Sequence, residues 1–399
     1  MDQPISVDEA RHIINKQQFK KKAVDVPVQG AFGRVLATDL HAPADIPAFD
    51  QSSMDGYAFS FQNWNPGQSL PIVHEVPAGS KARIEVSGSR AVRIFTGAPL
   101  PLGTDTVIKQ EVVEVKDNHI FIQDPDISLG DHVRLKGSEI KRGELALSAG
   151  TTLSPASIGF LRGIGLANVN VFAPPSVAIV ITGDELQQPG IPLAYGEVYE
   201  ASSGMLTAAL LQMGISEIKV FYAKDSLADT VKQLQDALVF ADLVMLTGGV
   251  SVGDYDFVIR ASEACGIEKL FHKIKQRPGK PLFFGRKSEQ VIFGLPGNPS
   301  AVLTCFYEYV WPVIRALGGQ ENQLKTLNVP LAAAYTKKHQ LTHFLKGYYH
   351  QDKVMILHAQ ESYRLHSFAR ANCLVALKGE MKSYLEGELV EIHLLPAYG

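Results

Sequence analysis

The sequence predicts a multidomain α/β-plus-β protein, and three observations carry that prediction. Residues 177–319 alternate continuous apolar runs with helix-period stretches, the pattern of a mostly parallel sheet covered on both faces. Residues 46–140 and 326–399 carry short β-rich runs, and in the first stretch Pro and Gly punctuate them at short intervals. A chain of 399 residues is also too long for one ordinary core and implies about two to four domains.

The elements follow in chain order. "SVDEARHIINK" places Ser6 three residues before Glu9, a capping box, with Val7, Ala10, Ile13 and Ile14 behind it at helical spacing. "SLPIVHEV", "RAVRIF", "DTVIKQEVVEV" and "HIFIQ" read as strands of a small all-β module. "SPASIGFLRGIG" (154–165) reads as a short helix, and "APPS" after "NVNVF" as a boundary. From 177 the order is strand "VAIVIT", helix "MLTAALLQMG", strand "EIKVFYA" and helix "SLADTVKQLQDALVFA", with Leu227, Val231, Leu234 and Leu238 on one face. Strand "DLVMLTGG", helix "DFVIRASEACG", strands "KLFHKI", "PLFFG" and "QVIFGLPG", and one long helix "SAVLTCFYEYVWPVIRALGG" complete this part. "CLVAL" and "ELVEIHLL" are the clearest strands of the C-terminal stretch.

Composition excludes several classes. Apolar residues make up 46% and charged residues 20%, ordinary values for a soluble globular protein. A net charge of −3 gives no sign of nucleic-acid binding, so an anion site would have to be a local concentration of positive charge. Cys265, Cys305 and Cys373 are far apart and outside any CxxC, which points neither to a disulfide framework nor to a thiolate metal site. "MDQPISVDEA" shows no basic-then-apolar leader and no run is long enough for a membrane span. A cytoplasmic protein is expected.

Ligands of open α/β sheets bind beyond the carboxyl ends of the strands. Those ends here carry "TGDEL" with Asp184 and Glu185, then Asp225, then "TGGVSVGDYD", "RPGKP" and "LPGNPS". In "TGGVSVGDYD", Gly248 and Gly249 permit positive φ, so that their N–H groups face phosphate oxygens, and Ser251 adds a hydroxyl. Asp254 reads as the N-cap of the following helix. Asp256 beside a phosphate makes sense if a hard cation such as Mg²⁺ bridges the two, with Glu185 and Asp225 completing the oxygen donors. Lys273, Lys275, Arg277 and Lys280 surround a turn pinned by Pro278, Gly279 and Pro281, which suits a second anion. Pro296 and Pro299 flank Gly297 and Asn298 at a helix start, reading either as a pre-aimed oxyanion site or as ordinary capping. "IPAFDQSSMDGYA" and "IFTGAPLPLGTDTVIKQE" read as ordered surface loops. His339 and His343 form an HxxxH without a third ligand nearby, and Tyr307, Tyr309 and Trp311 read as packing residues of the last helix. No GxSxG, Walker A or GxGxxG lies in a strand–loop–helix setting.

"FDQSSMDGYA", "IFTGAPLPLGTDTVIKQE", "TGDEL", "TGGVSVGDYD", "RPGKP" and "GLPGNPSA", in that order, resemble the molybdopterin molybdenumtransferases of MoeA type, similar to the E domain of gephyrin. The resemblance covers essentially the whole chain. It implies a discontinuous helical/mixed domain (1–45 and 141–173), an inserted β domain (46–140), a three-layer α/β molybdopterin-binding domain (174–325) and a C-terminal β domain (326–399). It also implies a homodimer, adenylylated molybdopterin and molybdate as substrates, and Mg²⁺-dependent release of AMP. A molybdopterin adenylyltransferase and molybdoenzyme apoproteins would be its partners. Gly248, Gly249, Ser251 and Gly253 would hold the pterin phosphate, and Glu185 and Asp256 the metal. Asp225 would be essential, as would Asp55 and Thr96 reaching in from the partner subunit. Lys273, Arg277, Lys280, Pro296 and Pro299 would surround molybdate, with Lys346 and Ser367 contributing from the C-terminal part. Arg277 and Lys346 stand where the family usually has Lys and Arg, and Glu139 where Asp is usual. "VYEASSGML" lacks the common Asp/Asn pattern after "TGDEL". An adenylyltransferase sharing the α/β domain, or a non-catalytic pterin-binding scaffold, are the competing expectations.

Overall fold

The computed structural model describes residues 3–249, 257–321 and 323–396. It divides into two compact units, one formed by 25–171 and the other by 1–24 with 172–399.

In the unit 25–171, six strands pair in the order Thr106–Lys109, Gly56–Phe59, Ala91–Ile94, Leu70–Val76, His119–Ile122 and Val113–Lys116. Alternate side chains of Gly56–Phe59 go to opposite faces, as the period of a strand requires. Tyr57 and Phe59 join Leu70, Ile108 and Ile120, while Ala58 joins Val92, Ile94 and Val107. The helix Pro155–Gly163 starts at Ser154 with a capping box to Ser157 and buries Leu161 against Val28, Leu36 and Val171.

The second unit is built on a six-stranded sheet in the order Ile218–Ala223, Val177–Thr182, Leu243–Thr247, Gln290–Leu295, Pro281–Lys287 and Glu268–Lys273. The first four strands are mutually parallel, and Pro281–Lys287 is antiparallel to both its neighbours. Val177, Ile179 and Ile181 face the helix Ser202–Gln212 and the last helical segments, through Leu206, Leu210 and Val302. Ala178 and Val180 face the helices Leu227–Phe240 and Phe257–Ala264, through Leu234, Ala237, Val258 and Ala261. Helices on both faces leave no wet side, which is why the strands read as unbroken apolar runs. Each fully buried aliphatic side chain here contributes about 1.5–3 kcal/mol.

A second sheet runs Gln276–Arg277, Thr342–His350, Cys373–Leu377, Leu389–Leu394 and Thr326–Pro330. Its first strand comes from the α/β part and pairs in parallel, Gln276 with Thr342 and Arg277 with His343. The basic turn is therefore tied to both sheets.

The single long helix predicted over 300–319 is interrupted. Pro299–Cys305 and Trp311–Leu317 are α-helical, but Phe306–Val310 is a π-turn in which the Trp311 N–H donates to the Phe306 carbonyl. Pro312 supplies the reason: it has no N–H to donate, and its ring clashes with a regularly placed carbonyl four residues earlier. Widening the turn accommodates it.

Candidate active site

One cleft of about 1130 Å³ opens at the carboxyl ends of the parallel strands. Five chain segments meet there. Thr182–Leu186 leaves the first strand, Asp225 the second and Thr247–Gly249 the third. Gln276–Pro281 forms the basic turn and Pro296–Pro299 the entry to the last helix. Val198–Ser202, Leu341 and Gln360–Tyr363 complete the wall.

The cradle residues are glycine by necessity. Gly248 has φ +83° and Gly249 φ +61°, and a Cβ on Gly248 would stand 2.5 Å from the Thr182 carbonyl oxygen. Thr182 braces the neighbouring strand end by donating its hydroxyl to the Thr247 carbonyl at 3.2 Å. Two adjacent strand ends are laced together through acids. The Asp225 N–H donates to Asp184 Oδ1 at 3.1 Å, and the Asp184 N–H reaches Asp225 Oδ2 at 3.4 Å. Glu185, Asp225, Arg277, Lys280, Pro296 and Pro299 all line the cleft. Acids from two strand ends thus share one opening with the cations of the basic turn. The proposed roles of Ser251, Gly253, Asp254 and Asp256 fall on residues outside those described.

Other expected site residues lie elsewhere. Lys273 is half-buried on its strand and is not part of the cleft wall. Lys346 is only 3% exposed and donates its ammonium to the carbonyls of Ala359 (2.8 Å), Arg364 (3.0 Å) and Glu361 (3.5 Å). Burial, opposed by Glu361 and reinforced by Arg364, brings its pKa down to about 8. The Ser367 hydroxyl also donates to Ala359, at 2.8 Å. Both residues therefore hold the base of the loop whose Gln360–Tyr363 segment lines the cleft. Asn298 ties that loop to the "LPGNPS" entry, its amide donating to Ser362 Oγ at 2.9 Å.

In the other unit, Asp55 and Thr96 meet each other. Asp55 Oδ1 accepts from the Thr96 N–H and hydroxyl, each at 2.8 Å, and these bonds lower the carboxyl's pKa. His339 and His343 stand with ring centroids 4.6 Å apart, and among the described residues no group of three metal-ligating side chains occurs.

Sequence reading passed over two polar residues of the wall. Glu200 is buried and accepts from the Ser203 N–H at 2.8 Å and from the Ser203 hydroxyl, satisfying the first turn of the helix Ser202–Gln212. Gln276 is fully buried beneath the basic turn. Its position between Lys275 and Arg277 in a charged run gave no signal of burial.

Glycines, acids and a basic turn gathered at the carboxyl ends of a doubly covered α/β sheet mark the place where multidomain proteins of this α/β class bind their ligands. The chain matches the MoeA N-terminal region (domain I and II) over residues 5–165, the probable molybdopterin binding domain over 178–316 and the MoeA C-terminal region (domain IV) over 328–395. It is 32% identical to a molybdopterin molybdenumtransferase of Haemophilus influenzae, over 98% of this chain and 100% of that one. A relative of the same name from Nostoc is 37% identical over 77% of this chain and 72% of its own length. The crystal structure of a molybdopterin biosynthesis MoeA protein from Pyrococcus horikoshii superposes with a TM-score of 0.85 at 27% identity, covering 99% of this chain and 100% of that one. The chain belongs to the MoeA family of molybdopterin molybdenumtransferases, and it has the family's multidomain fold. Among the described residues, no helix is long and apolar enough to cross a membrane.

Proposed function

We propose that this chain inserts molybdate into adenylylated molybdopterin, releasing AMP, as the molybdenum-inserting step of molybdenum cofactor biosynthesis. The observation that carries this reading is the sharing of one cleft by the glycine cradle at 248–249 and the basic turn at 277–280. The cradle N–H groups, with Ser251 and Gly253, hold the pterin phosphate. Arg277 and Lys280 attract the molybdate dianion between the rigid walls of Pro296 and Pro299. Lys273 adds positive potential from one residue-pair behind the turn. Lys346 and Ser367 act at a distance by fixing the loop at 359–364.

The donors facing the pyrophosphate suit Mg²⁺. Glu185 and Asp225 offer only oxygen, and a cation that keeps most of its waters needs few protein ligands. Asp256 is the further acid we assign to it. When bound, Mg²⁺ neutralises charge on the pyrophosphate and favours departure of the nucleotide. Asp55 and Thr96, a preformed hydrogen-bonded pair, enter the site from the partner subunit of a homodimer. The protein works in the cytoplasm between a molybdopterin adenylyltransferase and the molybdoenzyme apoproteins that receive the finished cofactor.

The test supplies adenylylated molybdopterin and Mg²⁺ and follows AMP with and without molybdate. AMP release that needs molybdate, and that falls roughly ten- to hundredfold in Asp256→Ala, is expected. Consumption of ATP to adenylylate the pterin would replace this reading with an adenylyltransferase. Pterin binding with no turnover by either protein would replace it with a binding scaffold.

A further inference from the structure

Two sets of buried polar side chains meet at the π-turn, one reaching the C-terminal sheet and the other the basic turn. His393 is buried, with Nδ1 2.8 Å from Glu308 Oε1 and Nε2 3.0 Å from Glu391 Oε1. Arg11, in the helix Val7–Asn15, donates to the other Glu308 oxygen at 2.5 Å. Burial alone would raise the Glu308 carboxyl, but His393 and Arg11 outweigh it and hold the group ionised. Glu308 belongs to the π-turn, and so does its neighbour Tyr309. Successive side chains of a helical turn point round its whole circumference, so a turn whose residues are all buried is covered on every side. All five residues of Phe306–Val310 are buried here.

Tyr309 donates its hydroxyl to Gln276 Oε1. Gln276 Nε2 donates to the Pro278 carbonyl at 3.0 Å and reaches Cys305 Sγ at 3.6 Å. The direction of this chain is fixed by chemistry. A carbonyl only accepts, so the amide nitrogen must face Pro278, its oxygen must face Tyr309, and the phenol must donate. The turn rests directly on this pair. A Cβ on Gly279 would stand 2.9 Å from Gln276 Nε2. Arg277 and Lys280, on either side of Pro278 and Gly279, line the cleft.

We propose that Gln276 is a positioning residue for the oxyanion-binding turn, locked by the Tyr309 hydroxyl. The carboxamide holds the Pro278 carbonyl inward, and this fixes the two flanking cations relative to the molybdate they receive. The inference rests on the reading of this turn as the molybdate-binding element. An apolar residue at 276 would leave the Pro278 carbonyl without its donor, and phenylalanine at 309 would leave the amide oxygen without one.

The test uses the full-length protein, with molybdate itself as the probe in equilibrium dialysis, and steady-state AMP release beside it. Tyr309→Phe and Gln276→Met are each expected to raise the molybdate Kd roughly five- to thirtyfold. The KM for molybdate should rise with it, while kcat stays within about a factor of two, the mark of lost ground-state positioning. The double variant Gln276→Met/Tyr309→Phe should be no weaker than the worse single one, because the two side chains act as a unit. The double variant also removes both polar partners together, so it serves where Tyr309→Phe does not fold. A lowered melting temperature with unchanged molybdate Kd in the folded variants would assign the pair to stability alone and overturn the inference. Wild-type protein that takes up no molybdate would instead overturn the molybdate reading itself, and this inference with it.

Discussion

Gly248 is constrained twice over, by its φ of +83° and by the Thr182 carbonyl that a Cβ would meet at 2.5 Å. Gly248→Ala should therefore destabilise the fold by about 1–3 kcal/mol in denaturant titrations, and weaken pterin-phosphate binding well beyond that loss. Unchanged affinity would show that Gly248 and Gly249 do not hold the phosphate. His343 makes a different prediction. Burial first, then His339, Arg277 and Lys337, push its pKa down to about 3 from an ordinary value of 6.5. Between those two values the unfolded chain takes up a proton that the folded chain refuses, so stability falls as pH falls through this window. His343→Gln should flatten the acid side of the stability curve by up to about 1.4 kcal/mol per pH unit below pH 6.5, measured against wild type. The glycines were legible in the sequence because few other residues accept positive φ at a strand end. Gln276 was not, because its burial depends on Tyr309, 33 residues further on.

At the scale of elements, apolar runs reveal strands wherever both faces are covered. Ile179 is fully buried on an interior strand of the sheet, and Ile179→Ala should cost about 2–5 kcal/mol by thermal or chemical unfolding. Periodicity marked "PLFFG" and "QVIFGLPG" as strands but not that Pro281–Lys287 runs against its neighbours. It also passed smoothly over the π-turn, whose only local sign is Pro312. The loop at 359–364 was silent in sequence for another reason. Its shape is imposed by the buried Lys346 ammonium, which serves carbonyls 13 to 18 residues away. Lys346→Met would leave those carbonyls without a donor. Amide hydrogen exchange in 359–364 should then quicken while exchange in the central sheet stays as it was. Equal protection in both proteins would show that the ammonium does not hold the loop.

For the whole molecule, the ordered motifs and the family membership agree along nearly the full chain. The resemblance carried the expectation of a homodimer with Asp55 and Thr96 acting across subunits, which no local pattern expresses. Sedimentation of the full-length protein should give twice the mass of one chain. Asp55→Ala and Asp225→Ala, each inactive alone, should recover AMP release when their subunits are exchanged, because one site of a mixed dimer keeps both acids. No recovery after demonstrated exchange would place Asp55 in the same subunit's site or outside it. If one cleft couples nucleotide release to metal capture, AMP and pterin-bound molybdenum measured simultaneously should rise in step. One AMP is expected for each molybdenum captured, and none when molybdate is withheld. AMP released at the same rate without molybdate, or molybdenum captured with no AMP, would contradict that coupling.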